Sequence, residues 1–351
     1  MTKNSNPESP VRFLVAVASA LLCLGAAEAG YRRSGLPELI VPTDVYQAKR
    51  RDHAAKGGAD VVFVGSSRVY HGVVAPLVAR MASEALGQPV TAYNFGVPAG
   101  DLPGYLLTAE DVLRPGLARP RLFVFGMSPI EWTCCPATSV PSSPKWVASI
   151  RPYHAWPLLA SASDPEEAFT DLTAGLFHAY AARTHVLNKV RGGRSPEGWA
   201  DVGSWGWVSF GYPVDPPTQH WRASGRAEAY RPNFYPPKHF DRAGTHRYFM
   251  AAIARLRSEG VPVAIFGTPQ ARQLDRNNDA ASYYPEYVKY MEKAALEQGS
   301  AFVNFNDFPG LVNGDFGDGD HLVESGATKF TRQLTERVVI PALRRERPSP
   351  L

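Results

Sequence analysis

The sequence predicts an α/β fold, a doubly wound five-stranded parallel sheet interrupted by one large aromatic- and proline-rich insertion. Three observations predict it. Apolar runs such as Val61-Val62-Phe63-Val64 are continuous rather than alternating, which suits strands covered on both faces. Five such runs are each followed by a helical pattern or by the insertion, the order expected of parallel strands joined by crossovers. A chain of 351 residues, 44% of them hydrophobic, has material for a packed core and for one α/β domain with a long excursion.

The elements follow in order. "TDVYQAKRRDHAAK", 43–56, reads as a polar helix ended by Gly57-Gly58, and a strand follows at 60–64. "VAPLVARMASEALG", 74–87, spaces Leu77, Met81 and Leu86 near the helical period and stops at Gly87. A strand at 89–96, a helix near 102–113 and a buried-type strand at 121–126 come next, the last ending in Met127-Ser128-Pro129. The pattern then lapses. From 130 to about 240 the text is rich in Pro, Trp, Tyr and Gly, with only 165–190 clearly helical, and all 7 tryptophans fall between Trp132 and Trp221. So long a stretch exceeds an ordinary connection. It reads as a cap over the sheet edge, with a purely structural insertion as the plainer alternative. The pattern resumes with a helix at 243–259, a strand at 261–267, a helix at 285–298, a strand at 301–305 and a last helix at 324–344.

The amino terminus has its own character. "VRFLVAVASALLCLGAAEAG", 11–30, combines Arg12, an apolar core and Ala27-Glu28-Ala29, the small-x-small form of a signal-peptidase site. The expected organisation is therefore a signal peptide or signal anchor over 1–30, a first α/β part over 31–129, the cap over 130–240, a second α/β part over 241–344 and a tail over 345–351. An exported chain, released or tethered, follows from the leader. Leu22 stands where a lipoprotein site wants a small residue before Cys23, which argues against lipidation.

Several classes are disfavoured. Lys plus Arg exceed Asp plus Glu by only 37 to 33, and no basic run or RNA-binding signature supports a nucleic-acid partner. The three cysteines form no disulfide framework, Cys134 and Cys135 being adjacent. No C-x-x-C or H-E-x-x-H spacing points to a metal. G-x-G-x-x-G, a P-loop and a G-x-S-x-G elbow are all missing, so neither a cofactor nor an α/β-hydrolase pattern is expected. The acidic loop 315–320 does not meet the D-x-[DN]-x-[DN]-G calcium pattern, leaving calcium a minor alternative.

Chemistry gathers where ligands bind such sheets, at the carboxyl ends of the strands. "GSSR", 65–68, ends the first strand, and "NGDFGDGDHLVESGATKF", 313–330, joins the last strand to the last helix. In that loop a carboxylate three residues before a histidine can turn back to accept the Nδ1 proton and leave Nε2 free to take a proton from a serine. Taken singly, each piece has a bland reading: Ser67 as a helix N-cap, Asp318 and His321 as a cap pair.

In combination the blocks resemble the SGNH (GDSL-type) hydrolase superfamily, over most of 59–129 and 261–344. "GSS" stands at the family's G-D-S, so Ser67 matches the nucleophile and Ser66 the variable aspartate. "NFGVPAGD", 94–101, is similar to the second block, with Gly100 the better match and Gly96 the other for the oxyanion-hole glycine. Asp318 and His321 match D-x-x-H. The departure is "GMSP", where Ser128 occupies the place of the asparagine that donates to the oxyanion. The resemblance implies a flavodoxin-like sheet and a serine acyl-ester hydrolase or O-acyltransferase without a cofactor. It extends to exported cell-envelope relatives that act with membrane-bound O-acyltransferases, implying an acylated glycan or a small ester as substrate. Arg68 is a candidate for an anionic substrate group, with a surface salt bridge as alternative. A catalytically impaired glycan-binding protein, using Trp205 and Trp207 as stacking faces, is the second reading.

Overall fold

A computed structural model describes residues 10–33, 45–98, 100–132, 146, 149–162, 165–177, 202–211, 240, 245–271, 284–306 and 308–345. The chain divides into two compact units, Met1–Pro42 with Pro141–Gly198 and Thr43–Val140 with Trp199–Leu351.

The first unit contains helix α1 (Pro10–Arg33), within which Leu14–Tyr31 is long and apolar enough to cross a membrane, a property that signal sequences near an N-terminus share. Its other elements are a 3₁₀ turn at Pro152–His154, α6 (Ala155–Ser161) and α7 (Pro165–Leu176). The helix expected over 165–190 is thus present to Leu176, and 178–190 lie outside the described residues, as do Cys134 and Cys135.

The second unit holds the sheet. Its strands are β1 (Val61–Val64), β2 (Ala92–Asn94), β3 (Leu122–Met127), β4 (Val263–Gly267) and β5 (Phe302–Asn304). All neighbours pair parallel in the order β2-β1-β3-β4-β5, with Val62 opposite Tyr93 and Phe123, and Phe125 opposite Ile265. The expected doubly wound sheet is present. Its switch point lies between β1 and β3, the place where this strand order opens a crevice for ligands.

Helices cover both faces. The elements are α2 (Val45–Ala55), α3 (Ser67–Gly72), α4 (Ala75–Leu86), α5 (Leu102–Val112), α8 (His246–Ser258), α9 (Tyr284–Glu297), α10 (Glu324–Leu334), a π turn (Thr335–Val339) and α11 (Ile340–Arg345). Val61, Phe63, Val124 and Phe266 join one core with Val78 of α4 and with Phe330 and Leu334 of α10. On the opposite face Phe125 meets Phe249 of α8 edge to face at 5.4 Å and Tyr105 of α5 at 6.3 Å. Each such aromatic side chain, fully buried, stabilises the fold by roughly 1.5–3 kcal/mol relative to exposure.

Two expectations gain detail. The polar helix expected over 43–56 is present as α2, but it buries Tyr46, Lys49 and His53, and the Lys49 ammonium donates to the carbonyls of Asn94 (2.7 Å) and Gly96 (2.6 Å) over the Tyr70 ring. Burial holds the Lys49 ammonium well below the usual lysine range. The last helix is not continuous α-helix, since one π turn separates α10 from α11. The end of α4 is as expected, for Gly87 takes the left-handed conformation (φ 64) that ends helices without a side-chain clash.

Candidate active site

The first segment of the site is built by close approach. A β-carbon at Gly65 would collide with Val69 and lie 2.9 Å from the Gly126 carbonyl, and one at Gly126 would also collide with Val69. A glycine just after β1 and one within the adjacent β3 therefore let α3 sink onto the end of the sheet. Ser66 is the N-cap residue of α3, but its side chain caps nothing; its hydroxyl donates to Glu131 Oε1 at 2.7 Å. Ser67 is the first helical residue.

The second segment lies between β5 and α10, where Phe316 and Leu322 form a bridge that closes a tight loop. Inside it Asp318 Oδ1 accepts from the backbone N–H of His321 (3.0 Å) and of Asp320 (3.3 Å). Its Oδ2 lies 2.8 Å from His321 Nδ1, and His321 Nε2 lies 2.7 Å from Ser67 Oγ. Ser67, His321 and Asp318 thus form one hydrogen-bonded line across a separation of 254 residues. With Nδ1–H held by a carboxylate, a neutral His321 presents its Nε2 lone pair to the serine hydroxyl.

The loop brings a second carboxylate to the same nitrogen. Asp320 Oδ1 is 3.2 Å from Nδ1, and its Oδ2 is 3.5 Å from Arg68 Nη2. Burial opposes a charge on His321, yet the charge of Asp320 at 3.2 Å and the hydrogen bond to Asp318 outweigh it and push the imidazole up to about 9. His71, four residues after Ser67 on α3, behaves oppositely. Its ring meets that of His321 edge to face at 5.5 Å, its Nδ1–H donates to the Val208 carbonyl at 2.9 Å, and burial pushes it down to about 4.

Residues 202–211, a described part of the insertion, run along this edge. Asn94 N–H donates to the Trp205 carbonyl at 2.9 Å, extending the β2 edge, and Trp207 Nε1–H donates to the His71 carbonyl at 3.0 Å. Phe210 stacks on His321 with ring centres 4.7 Å apart. Trp205 packs against the core with its backbone left-handed (φ 53), so both tryptophans carry structural contacts in addition to any stacking role.

Glu131 closes the back of the site. It sits in a 3₁₀ turn (Pro129–Trp132) after β3 and is buried; its Oε2 accepts from Ser128 N–H at 2.6 Å and from the Ser128 hydroxyl. Burial raises its carboxyl above the usual range, against the nearby Arg68 charge and the bonds from Ser128 and Ser66.

Of the residues singled out in the sequence, Ser67, Asp318 and His321 are brought together. Gly100 lies beside the loop that leads into Ser67, where a β-carbon would fall 2.7 Å from the Gly65 carbonyl, but its N–H donates to Val97 O at 2.8 Å. The Gly96 N–H is likewise engaged, by Asn94 Oδ1 at 2.8 Å. Ser128 is near the site with its hydroxyl committed to Glu131, so the donor role expected of it meets a competing carboxylate. Arg68 is not a surface salt bridge: its side chain is 5% exposed and aimed at Asp320. Asp318, Asp320 and His321 also have the proximity of a metal-binding group, their ligand atoms lying within 4.8 Å of one another. Both His321 nitrogens, however, are spent on Ser67 and the carboxylates.

Sequence reading placed Asp320 in the loop of Asp318 and His321 without giving it a role there, and missed Glu131, His71 and Phe210 as parts of the site. Asp320 adjoins His321 and Glu131 follows Ser128 by three, so local spacing was a usable signal for both. For Phe210 nothing local signals the contact.

No protein-family model and no curated protein matches the chain. A solved structure described, provisionally, as a platelet activating factor from Streptococcus pneumonia is similar to it over 88% of this chain and 98% of that chain, at 11% identity and a TM-score of 0.37. A likeness at that score carries no argument about chemistry, which has to come from the side chains.

Proposed function

We propose that the chain is a serine acyl-ester hydrolase or O-acyltransferase of the SGNH type, with Ser67 as nucleophile, His321 as general base and Asp318 holding the imidazole tautomer. The observation that carries the reading is the line Ser67 Oγ, His321 Nε2, His321 Nδ1, Asp318 Oδ2, with hydrogen-bond distances of 2.7 and 2.8 Å. In the reaction Ser67 Oγ bonds to the acyl carbon as its proton passes to Nε2. The ester C–O bond then breaks, and the leaving alkoxide takes that proton. Water or a sugar hydroxyl repeats the sequence in reverse and frees the serine.

The Ser67 N–H is in the first turn of α3, where the helix itself offers no acceptor, and is suited to the developing oxyanion. An exported location fits helix α1, and an acylated glycan acceptor, delivered with a membrane-bound O-acyltransferase, fits the SGNH resemblance. The cap role of 130–240 is supported by Phe210, Trp207 and Val208 at the site.

One observation favours the second reading, a binding protein with weak or no catalysis: both expected further donors, Gly100 N–H and the Ser128 hydroxyl, are engaged elsewhere. Loss of one such donor costs roughly 100- to 1000-fold in rate. A fluorophosphonate probe separates the two. The expected result is labelling of the folded chain, abolished by Ser67→Ala and His321→Ala and largely kept by Ser66→Ala. A folded wild type that never labels refutes the enzyme reading.

A further inference from the structure

We propose that Asp320 is a positioning residue for His321, a second carboxylate at Nδ1 that is itself steadied by Arg68 and that governs whether His321 stands ready as acid or as base. The inference rests on the catalytic reading of Ser67, His321 and Asp318. Asp318 alone suffices for the tautomer, since it closes its own loop through two backbone N–H groups and makes the shorter bond to Nδ1, 2.8 against 3.2 Å. One N–H cannot serve both carboxylates equally. What Asp320 adds is charge: its side chain is 4% exposed, so the charge is little screened and is held within hydrogen-bond range of the ring.

Groups from three segments face His321. Its own loop supplies Asp318 and Asp320; α3 supplies Ser67 and the His71 ring; 202–211 supply Phe210, which is apolar. Arg68 lies 3.5 Å from Asp320, and its charge also acts on the buried Glu131. His71 stays neutral near pH 7, its imidazole being held at about 4, so it adds no opposing charge there. The two carboxylates are left to favour the imidazolium, in keeping with a value of about 9. In that state Nε2–H donates to Ser67 Oγ and the serine is not activated. Deprotonation turns the same contact into a base, so acyl transfer is expected to run on the alkaline side.

The test joins a readout of the ring to a readout of chemistry. The full chain in detergent micelles, with ¹⁵N-labelled histidine, is titrated by NMR, and the rate of fluorophosphonate labelling is followed against pH. His321 is assigned from His321→Gln. The wild-type ring is expected to titrate near 9. In Asp320→Asn the midpoint is expected to fall by about 1–3 pH units, the size of a lost neighbouring charge, and the labelling profile to shift with it; Asp320→Glu should restore part of the shift.

An unchanged midpoint in Asp320→Asn overturns the proposal, as does a wild-type midpoint at or below 6.5. If Asp320→Asn does not fold, the wild-type and Asp320→Glu titrations decide by the same criteria. A midpoint that moves in a chain that never labels upholds the hold of Asp320 on His321 and removes the catalytic reading. Labelling with an unmoved midpoint does the reverse.

Discussion

His71 on α3 and His321 in the loop before α10 are both buried and lie with ring centres 5.5 Å apart, yet one imidazole is held at about 4 and the other at about 9. Burial acts against charge on both. The difference is in what the backbone brings to Nδ1. A loop that folds back on itself offers His321 two carboxylates, whereas a helix lying beside 202–211 offers His71 one neutral carbonyl. Side-chain type and depth do not set the chemistry of a histidine here; the charge of its partners does.

Asp318 is the partner whose loss His321 should feel most. Asp318→Asn leaves the ring buried and beside Asp320 but offers Nδ1 an amide in either orientation, so the tautomer is no longer imposed. The labelling rate is expected to fall by up to roughly 10⁴-fold. A loss below tenfold would mean that Asp320 can take over the orienting role.

The pH dependence of stability sharpens the comparison next. A histidine held at about 9 when folded and near 6.5 when unfolded adds stability that is complete below 6.5 and is lost as pH rises through 9. His71 and His53, held at about 4, add stability that is complete above 6.5 and is lost as pH falls from 6.5 through 4. Each group contributes at most about 1.4 kcal/mol per pH unit within its window. Because the depressed Lys49 ammonium pulls the other way on the alkaline side, His321 is isolated by comparison with His321→Gln: the melting-temperature advantage of the wild type, followed by circular dichroism, is expected to shrink as pH rises from 6.5 through 9. A difference from His321→Gln that stays constant or grows from pH 6.5 to 9 contradicts the assignment of His321.

His71→Asn probes the other member. An amide can replace the Nδ1–H donor to Val208, so the expected cost is about 1 kcal/mol in a denaturant melt, with fluorophosphonate labelling retained. Abolished labelling in a folded variant would put His71 in the reaction. Phe210→Leu has the smallest expected effect. It removes a ring stack worth about 0.5–1.5 kcal/mol, so labelling is expected to slow by tenfold or less. No change in rate would show that the two carboxylates alone orient His321.

The legibility of this site in sequence followed contact order. Asp318 and His321 are three residues apart in a glycine-rich loop, so their pairing could be read locally, and Ser67 followed from a strand that ends at Gly65. Their meeting spans 254 residues and needed blocks recognised in order. The Ser128 substitution was visible, but not that Glu131 would take its hydroxyl. Arg68 stood open between an anionic substrate group and a surface salt bridge, and nothing local showed that it would be buried against Asp320. The polar text of 43–56 likewise did not show that two carbonyls and a tyrosine ring would admit Lys49 to the interior.

The sequence by itself determined the class of the fold, for continuous apolar runs of β-branched and aromatic residues alternating with helical spacing have few ways to bury themselves other than a parallel sheet between helices. It also determined where chemistry is possible, by placing polar residues at the carboxyl ends of the first, third and last strands. The order β2-β1-β3-β4-β5, the closing of the line from Ser67 to Asp318, the second carboxylate at Nδ1 and the opposite fates of two neighbouring imidazoles were decided only in three dimensions. Those features depend on distances between groups far apart in the chain and on how far water is kept from them. Neither quantity exists until the chain has folded.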